Sequence, residues 1–425
     1  MNKSRIISAI ELGSSKITTL IAQIQSDEVG FESTVNILGA SSSESRGIKK
    51  GQIVDLEEAV EATIASVEGA ERMAGYNLNS AFVAINGAHI ASQNSHGVVA
   101  ISDPNGEVTP GDVDRVIEAA SAVSLPSSRE LIHVIPMEYI VDGESGVKDP
   151  IGMTGVRLEV KTHLVTASNA AVRNIQKTMQ EVGVQIDELV FSGLASTESV
   201  LTRTEKELGC VLVDIGGGTT SVATFIDGSL AYSSVIPIGS NNVTNDLAIG
   251  LRVSLESAEK IKRALSEEER KEKKQKPSDG KDEWDLASLG IVETKRVSKK
   301  TLIEGIIRPR LNEIFTMVRI QLEKDALVSQ VPSGVIVTGG GADVVGIEES
   351  AKRMMSLPAR IGLPKGVGGL IDDIMQPAYA TPIGLILYGI KSVPQENSTS
   401  FSKRMKLPTK GIIGKITKAI RDLLP

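Results

Sequence analysis

Cysteine is almost absent from this sequence of 425 residues, which contains only Cys210. A single cysteine allows neither an intrachain disulfide nor a cysteine zinc cluster. The four histidines are scattered through the sequence without the spacing that metal ligands show. No run of about 18 apolar residues occurs, so the sequence predicts no helix that spans a membrane.

Aromatic residues are also scarce, at 3%, and the formal net charge is −7. The interior must therefore be built mainly from Ile, Val, Leu and Ala. A protein that binds nucleic acid usually presents a basic face, so the acidic balance argues against this class. At roughly 100–200 residues a domain, the length predicts two to four domains.

Two segments share one design, in which an apolar strand ends with an acidic residue and a turn rich in Gly, Ser and Thr leads into a second apolar strand. In the first segment the acid is Glu11 and the turn is Gly13, Ser14, Ser15 and Lys16. In the second segment the acid is Asp214 and the turn is Gly216, Gly217, Gly218, Thr219 and Thr220. Two such hairpins can hold a phosphate chain from both sides. The sequence therefore predicts a nucleotide clamp between two similar α/β halves.

The residue types in these turns suit a polyphosphate. Successive backbone N–H groups in a turn form a concave anion site, and glycine lets the chain approach a ligand without a Cβ clash. The hydroxyl groups add donors, and Lys16 is a point charge for the β- or γ-phosphate. Glu11 and Asp214 stand where they can hold Mg²⁺ through its water shell. Neither turn has the P-loop pattern or the dinucleotide pattern that opens a helix.

A third glycine cluster joins a predicted strand to a predicted helix and consists of Gly339, Gly340, Gly341 and Ala342. Bare backbone at a helix N-terminus lets a ribose or a base lie flat against it, although a plain helix-entry turn is the alternative. Glu259 and Lys262 lie three apart on one face of a predicted helix. We expect that face to touch the ribose and the base; the alternative for this pair is a surface ion pair.

The last residues differ from the body of the chain. Residues 393–410 contain Ser, Pro, Asn, Gln and Lys with little periodicity, which predicts a linker. Beyond them, a helical pattern opposes apolar to basic residues: Ile412, Ile413, Ile416, Ile420, Leu423 and Leu424 against Lys415, Lys418 and Arg421. A basic amphipathic helix on a tether is typical of a segment that lies on anionic lipids. The alternative is a helix that docks on the parent domain or on a partner protein.

Longer motifs carry a family resemblance. The two hairpins and the third glycine cluster resemble the phosphate and adenosine motifs of the actin-like ATPase superfamily. Four further motifs are similar to those of the FtsA family of bacterial cell-division proteins: SRGIKKG at 45–51, HVIPMEY at 133–139, DPIGMTGVRL at 149–158 and ATPIGL at 380–385. Together with the tail, these motifs cover nearly the whole chain.

The resemblance implies an α/β, actin-like ATPase fold of two similar halves, with an inserted α+β subdomain and a C-terminal amphipathic helix. The implied division is 1–86 with 166–207 for subdomain 1A, 87–165 for the inserted subdomain 1C, 208–240 with 325–392 for 2A, and 241–324 for 2B. Within 2B, we expect the charge-rich run 266–283 to be a flexible loop. The linker 393–410 and the membrane-targeting helix 411–425 follow.

The resemblance also implies a function. Relatives bind ATP with Mg²⁺, polymerise, and tether FtsZ filaments to the cytoplasmic face of the inner membrane at the division site, where later division proteins are recruited. The FtsZ C-terminal peptide would dock near Arg310 and Glu313, because the rigid cationic fork of arginine suits an acidic peptide. Glu11 stands where many relatives have Asp, and the first hairpin has no His or Gln to orient a water, so at most weak ATPase activity is expected. The alternatives are a small-molecule kinase and a pilus-assembly protein on the same fold.

Overall fold

The computed structural model describes residues 4–26, 33–274, 282–291, 296–369 and 374–392. The predicted linker 393–410 and amphipathic helix 411–425 lie outside the described residues. Within the described ranges, no helix is both long enough and apolar enough to cross a bilayer.

The described chain contains both strands and helices. The strands are β1 (Ser4–Leu12), β2 (Lys16–Ser26), β3 (Ser33–Glu44), β4 (Ile48–Lys49), β5 (Gln52–Ile53), β6 (Ser80–Ile85), β7 (Ala91–Ala100), β8 (Arg129–Val141), β9 (Glu144–Val147), β10 (Arg157–Ser168), β11 (Gln185–Phe191), β12 (Cys210–Ile215), β13 (Thr220–Ile226), β14 (Ser229–Ile236), β15 (Glu283–Asp285), β16 (Arg296–Ser298), β17 (Val335–Thr338), β18 (Ala359–Ile361) and β19 (Gly368–Gly369).

The α-helices are α1 (Leu56–Ala74), α2 (Pro110–Ser121), α3 (Asn169–Val182), α4 (Ser192–Val200), α5 (Arg203–Leu208), α6 (Ser240–Leu251), α7 (Leu255–Lys274), α8 (Lys299–Leu302), α9 (Arg308–Lys324), α10 (Ile347–Met355) and α11 (Ala380–Ser392). A π-helical turn, Ile303–Ile307, joins α8 to α9, and a 3₁₀ turn, Gly340–Asp343, follows β17.

The two large sheets have the same plan. The strand order is β11-β6-β1-β2-β3-β19 in the first and β14-β13-β12-β17-β18 in the second. In each sheet the first three strands of the half form an antiparallel meander, and two later strands add in parallel on the side of the first of them. In the first sheet, β19 also pairs in parallel with β3. The duplication that the paired hairpins suggest therefore extends through both halves.

Aliphatic residues fill the interiors of both halves, as the scarcity of aromatic residues requires. The first interior contains Ile10, Leu20 and Phe191, and the second contains Val213 and Phe315, all fully buried. The first interior also reaches one face of the second sheet, since it contains Leu212, Phe225 and Ile336, and the second interior lies on the other face of that sheet. This packing leaves the ends of the β1–β2 and β12–β13 hairpins at the boundary between the halves, where they can form a site.

Helix α11 belongs to the first half although it follows the second half in the chain. Its residues Ile383 and Ile386 are part of the first interior, and β19 pairs with β3. The assignment of all of 325–392 to subdomain 2A is therefore wrong for its C-terminal part. Gly384 permits this return, because a Cβ there would lie 1.9 Å from the carbonyl oxygen of Ala195 in α4. Helices α4 and α11 thus cross in direct backbone contact between the halves.

An additional unit is inserted in the first half. Its four-stranded sheet has the order β7-β10-β8-β9, and α2 packs on that sheet. The small interior contains Val116, Tyr139 and Leu158. Helix α2 begins with a capping box in which Thr109 and Asp112 exchange side-chain and backbone hydrogen bonds. This unit, which we call the inserted module (residues 91–168), is the α+β insertion that the sequence predicts.

The charged run 266–283 is not a loop over its first part. Helix α7 continues to Lys274, and 275–281 lie outside the described residues. High charge favours exposure to solvent, but it does not prevent a helix whose ends and flanks are held by ion pairs. Two such pairs anchor α7 to neighbouring elements: Glu268 to Lys299, and Arg270 to Asp343.

Candidate functional site

A cleft lies between the two halves and is lined by both predicted turns, the first (13–16) and the second (216–220). Its volume is about 440 Å³, which is typical of a small-molecule site. Helices α6 and α7 and the third glycine cluster complete its walls. The predicted site residues that line it are Glu11, Gly13, Ser14, Ser15, Lys16, Asp214, Gly216, Gly217, Thr219, Glu259, Lys262, Gly339 and Gly340.

The two turns meet directly. A Cβ added to Gly217 would lie 2.8 Å from the Cβ of Ser15, and one added to Gly218 would lie 2.9 Å from the Oγ of Ser14. Real Cβ atoms do not approach other atoms so closely, so the second turn needs glycine at both positions. The turns therefore face each other across the cleft, in the arrangement that the sequence predicts.

The N-terminus of α6 holds the second turn in place. The carbonyl oxygens of Gly216 and Gly217 accept hydrogen bonds from the N–H groups of Ser240 and Asn241, each at 2.9 Å. Because a trans peptide unit is planar, the N–H that follows each of these carbonyls points away from α6. The turn thus presents backbone donors beside the positive end of the helix dipole, which suits an anion.

The loop at 45–51 holds the first turn. The Oγ of Ser45 donates to the carbonyl oxygen of Gly13 at 2.6 Å, and the N–H of Gly51 donates to the Oγ of Ser14 at 2.8 Å. The hydroxyl hydrogen of Ser14 can then be donated elsewhere. Lys16 places its Nζ 3.7 Å from the centre of the Tyr379 ring. This cation–π contact keeps the cation at the cleft wall.

Asp214 is buried behind the second turn, with 8% of its surface exposed. Its Oδ2 accepts hydrogen bonds from the Oγ of Ser196 at 2.5 Å and the Oγ1 of Thr381 at 3.0 Å. Ser196 belongs to α4 and Thr381 to α11, the helices that cross between the halves. Burial nevertheless raises the pKa of Asp214. The carboxyl group is therefore fixed in position, and its burial disfavours the ionised form.

Glu11 faces the same space from the first half. Burial, and then the negative charge of Asp214, raise the pKa of Glu11 to about 7, against the opposing effects of Lys16 and a hydrogen bond from Thr381. Two neighbouring carboxylates of this kind are stabilised by a bound cation. Within the described part of the chain, no group of three or more potential metal-binding side chains occurs. A cation here would take its other ligands from water or a bound phosphate.

Helix α7 forms a charged wall of the cleft. Lys262 is buried, and its Nζ lies 2.6 Å from the Oε2 of Glu259 and donates to the Oγ1 of Thr244 at 2.7 Å. Arg263 donates to the other oxygen of Glu259 at 3.0 Å. Glu259 and Lys262 thus form an ion pair, as the alternative holds, but Lys262 is buried and both members line the cleft. Their contact with a ribose and a base stays a prediction.

The third glycine cluster lies against the second turn. Gly339 has a φ of 83°, and a Cβ there would lie 2.2 Å from the Oδ1 of Asp214. Gly340 lines the cleft, and the chain then forms the 3₁₀ turn that ends at Asp343. The ion pair between Asp343 and Arg270 joins this turn to α7. The cluster therefore forms a wall of the cleft that is joined to α7.

Four predicted residues do not line the cleft: Gly218, Thr220, Gly341 and Ala342. Thr220 is fully buried, and its hydroxyl donates to the carbonyl oxygen of Ile238 at 2.8 Å. Gly341 packs on Ile215, because a Cβ at Gly341 would lie 2.4 Å from the Cγ2 of that residue. Thr220 and Gly341 therefore shape the walls from behind rather than contacting a ligand.

Arg310 and Glu313 lie on α9, outside the lining of the cleft. The Nε and Nη2 of Arg310 donate to the carboxylate of Asp246 in α6, at 2.6 Å and 3.0 Å, and Nη1 donates to Glu313. The hydrogen bond to Asp246 is the main cause that raises the pKa of Arg310. The cationic fork predicted for a partner peptide is therefore engaged within the chain.

The comparisons with known proteins agree with this architecture. The family model described as "SHS2 domain inserted in FTSA" matches residues 87–166, and the one described as "Cell division protein FtsA" matches 211–384. The chain is 37% identical over 406 residues to the cell division protein FtsA of Pseudomonas aeruginosa, covering 95% of this chain and 93% of that protein. It is 36% identical over 400 residues to that of Escherichia coli strain K12, covering 91% of each.

The chain belongs to the FtsA family.

Solved structures of low identity share the fold of this FtsA-family chain. The structure titled "PilM-PilN type IV pilus biogenesis complex" aligns with a TM-score of 0.60 at 15% identity, covering 90% of this chain and 98% of that one. The structure of MreB5 of Spiroplasma citri bound to ADP aligns with a TM-score of 0.50 at 13% identity, covering 92% and 99%. Such likeness concerns the fold alone. The predicted actin-like ATPase fold with an inserted α+β subdomain is confirmed.

Sequence reasoning missed several polar residues that line the cleft of this FtsA-family chain: Asn86, Ser192, Ser240, Asn241, Arg263, Ser266, Arg270, Asp343, Gln376, Tyr379 and Thr381. Their types are ordinary, and they reach the cleft from separate elements. Asn86 had a local signal, since an Asn-Gly pair directly after an apolar strand predicts a turn. Thr381 lies within the ATPIGL motif, but its type and position do not indicate a contact with two carboxylates.

Proposed function

We propose that this chain binds ATP and Mg²⁺ in the cleft, polymerises, and tethers FtsZ filaments to the cytoplasmic face of the inner membrane at the division site, where it recruits later division proteins. The observation that carries the nucleotide part is the direct meeting of two phosphate-type turns above a pair of carboxylates. Membership of the FtsA family supports the role in cell division.

In this proposal the phosphates of ATP lie between the two turns, within reach of backbone donors and Lys16. The adenosine lies between Gly340 and α7, where Glu259 and Lys262 present fixed polar groups. The solved MreB structures of the same fold are described as bound to ADP and to AMPPNP. A cleft of about 440 Å³ suits a ligand of this size.

Glu11 and Asp214 fit a magnesium ion that keeps most of its waters. Their carboxylates share a buried space, and each is destabilised there in its charged form. Mg²⁺ is commonly held by one or two carboxylates together with substrate phosphates. When bound, the ion would neutralise phosphate charge, while Thr381 and Ser196 hold the carboxylate of Asp214 in position.

We expect hydrolysis of ATP to be slow. Among the described residues that line the cleft there is no histidine, and its glutamine, Gln376, lies outside both turns. Ser192, beside the second turn, is hydrogen-bonded to Ser221 at 3.1 Å. An attacking water needs a side chain that orients it or accepts its proton, and our proposal assigns both nearby carboxylates to the cation. The cleft therefore favours binding over turnover.

Titration of the full chain with a fluorescent ATP analogue tests the nucleotide site. We expect saturable binding with Mg²⁺, weaker binding in EDTA, and competition by unlabelled ATP. A single-turnover assay on the same sample measures the slow hydrolysis. Absence of saturable binding at millimolar nucleotide, with or without Mg²⁺, would contradict the proposed clamp.

The FtsZ peptide is proposed to dock around Arg310 and Glu313. Arg310 keeps 24% of its side chain exposed. Ile249 is 77% exposed on α6, three residues after Asp246 and therefore on the same face of that helix. An acidic peptide would compete with Asp246 for Arg310 and could rest an apolar side chain on Ile249.

Charge variants test this docking surface by fluorescence anisotropy with a labelled FtsZ C-terminal peptide. Arg310→Glu is expected to weaken binding of the peptide by about tenfold, while ATP affinity stays unchanged. Asp246→Asn is the matched control, because it releases Arg310 without removing it and should preserve or strengthen binding. Unchanged affinity in Arg310→Glu would remove the assignment. Equal weakening in both variants would point to damage at the contact between α6 and α9.

Residues 411–425, which lie outside the described part of the chain, provide the membrane contact in this proposal. Deleting them is expected to abolish sedimentation with anionic liposomes. Ile416→Glu keeps the length but places a charge on the apolar face, so it should also weaken sedimentation. Pelleting with ATP and FtsZ present then reports the tethering. Unchanged pelleting of the deletion variant would refute the membrane part alone.

The alternatives of a small-molecule kinase and a pilus-assembly protein receive less support. Identity to FtsA proteins is 36–37% over more than nine-tenths of the chain. Identity to the pilus complex is 15%, a level at which only the fold is shared.

A further inference from the structure

Asn86 lies at the junction of three parts of the molecule. It follows β6 of the first half, directly precedes the chain that enters the inserted module, and lines the cleft. Its Nδ2 donates to the Oγ1 of Thr219 at 3.0 Å, and its Oδ1 accepts from the Oγ of Ser221 at 3.2 Å. The same Oδ1 accepts from the N–H of Gly87 at 2.7 Å. One amide thus connects the first half to the C-terminal end of the second phosphate turn.

The direction of the bond to Thr219 has a chemical consequence. A hydroxyl group has one hydrogen to donate and two lone pairs to accept. Because an amide N–H of Asn86 occupies a lone pair, the hydrogen of Thr219 remains available for another acceptor. Thr219 is 4% exposed and lines the cleft, so a group bound there can be that acceptor.

The inserted module also contacts the second half along β14, the strand next to β13. The Oγ of Ser92 donates to the carbonyl oxygen of Ser233 at 2.6 Å, and the Nδ2 of Asn94 donates to that of Ala231 at 3.2 Å. His163 bridges Asn94 and the Oγ of Ser233 through its two ring nitrogens, at 2.7 Å and 2.9 Å. β14 pairs with β13, which begins at the second turn. A movement of that turn would therefore either strain these hydrogen bonds or move the module together with β14.

We propose that Asn86 is a positioning residue that aims the hydroxyl of Thr219 at a bound phosphate and thereby couples occupancy of the cleft to the attachment of the inserted module. This inference rests on the proposed nucleotide site. A phosphate that accepts from Thr219 fixes the hydroxyl, and the fixed hydroxyl holds the amide of Asn86. Because Asn86 also forms the turn at Gly87, the chain entering the module becomes less mobile when the cleft is filled.

Two substitutions of Asn86 separate its donor from its acceptor. Asn86→Ala removes both, whereas Asn86→Asp keeps an oxygen for Gly87 and Ser221 but removes the donor to Thr219. We expect both variants to bind ATP about five- to tenfold more weakly and to bind adenosine, which has no phosphate, as the wild type does. Weakening in Asn86→Asp alone would indicate charge repulsion and overturn the proposal.

A double-mutant cycle tests whether Asn86 acts through Thr219. Thr219→Val removes the hydroxyl at nearly constant volume, so the loss from Asn86→Ala should disappear in its background. Additive losses would show that Asn86 acts independently and would overturn the proposal. Asn94→Ala is the matched control, since Asn94 also bridges the halves but does not line the cleft. It should leave ATP affinity unchanged.

Amide hydrogen exchange reports the coupling itself. In the wild-type chain, ATP should slow exchange at residues 87–91, and this protection should be lost in Asn86→Ala. Equal ATP-induced protection in both proteins would refute the coupling. If the wild-type chain binds ATP and the Asn86 variants bind it with the same affinity, only this inference is refuted. If the wild-type chain binds no nucleotide, the proposed nucleotide site is refuted.

Discussion

The first turn presents Glu11 half-buried at the cleft wall, whereas the second presents Asp214 with 8% of its surface exposed. Asp214 is fixed by hydroxyl groups from two crossing helices. Glu11 has one more methylene than Asp214, and it also accepts a hydrogen bond from the hydroxyl of Thr381. Two segments of one design thus place the same chemical group in different surroundings.

The backbone of the second turn is also held by more rigid neighbours than that of the first turn. The second turn is held by the N-terminus of α6, and Gly339 packs directly on Asp214 behind it. The first turn is held by a surface loop and carries the long side chain of Lys16. We infer that the second turn is the fixed side.

The largest expected effect comes from crowding that fixed side. Gly217→Val places side-chain atoms where a Cβ alone would lie 2.8 Å from Ser15. Because the backbone on both sides is held, the turns must separate, and we expect ATP affinity to fall by about 100-fold or more. Titration with the fluorescent analogue measures the loss, and thermal unfolding checks that the variant folds.

Gly111→Ala is the control for this variant. Gly111 lies in α2, outside the cleft, and a Cβ there would lie 3.7 Å from the Oγ1 of Thr109, an ordinary contact. It should leave ATP affinity within about threefold of the wild type. Native affinity in a folded Gly217→Val variant would show that the turns do not grip the ligand.

A smaller effect is expected from the carboxylates, and it measures their asymmetry. Asp214→Asn removes the charge that α4 and α11 hold in place, so the enhancement of ATP binding by Mg²⁺ should fall by about tenfold or more. Glu11→Gln should reduce it less, because a longer side chain is less strictly positioned. Titrations in Mg²⁺ and in EDTA give the ratio for each variant. A larger loss in Glu11→Gln would reverse the assignment of the fixed side.

The turns themselves could be predicted from sequence because each concentrates its glycines, hydroxyls and acid within one short segment. Asn86, Ser196 and Thr381 could not, since they are common residue types that only the packing of β6, α4 and α11 brings to the cleft. The sequence predicts a loop for the last part of α7, residues 266–274, because its ion-pair partners, Lys299 and Asp343, are distant in sequence. Contacts across elements decide these cases, and local composition does not record them.

The smallest expected effect is a pH dependence of stability in the ligand-free chain. The pKa of Glu11 is raised from 4.5 to about 7, mainly by burial. A raised pKa in the folded state contributes stability that is present below the ordinary pKa and lost as the pH rises through the folded value. The melting temperature of the wild type should therefore fall between about pH 5 and pH 8.

Glu11→Gln isolates this contribution, because the neutral amide cannot lose a proton. The variant should melt a few degrees above the wild type at about pH 8 and close to it at about pH 4.5. Mg²⁺ with ATP should reduce the difference at high pH, since the cation stabilises the charged carboxylate that the empty cleft disfavours. A wild type and variant with parallel melting curves across this range would mean that Glu11 is ionised at little cost. Ionising Glu11 in the folded chain would then cost no more free energy than ionising a solvent-exposed glutamate.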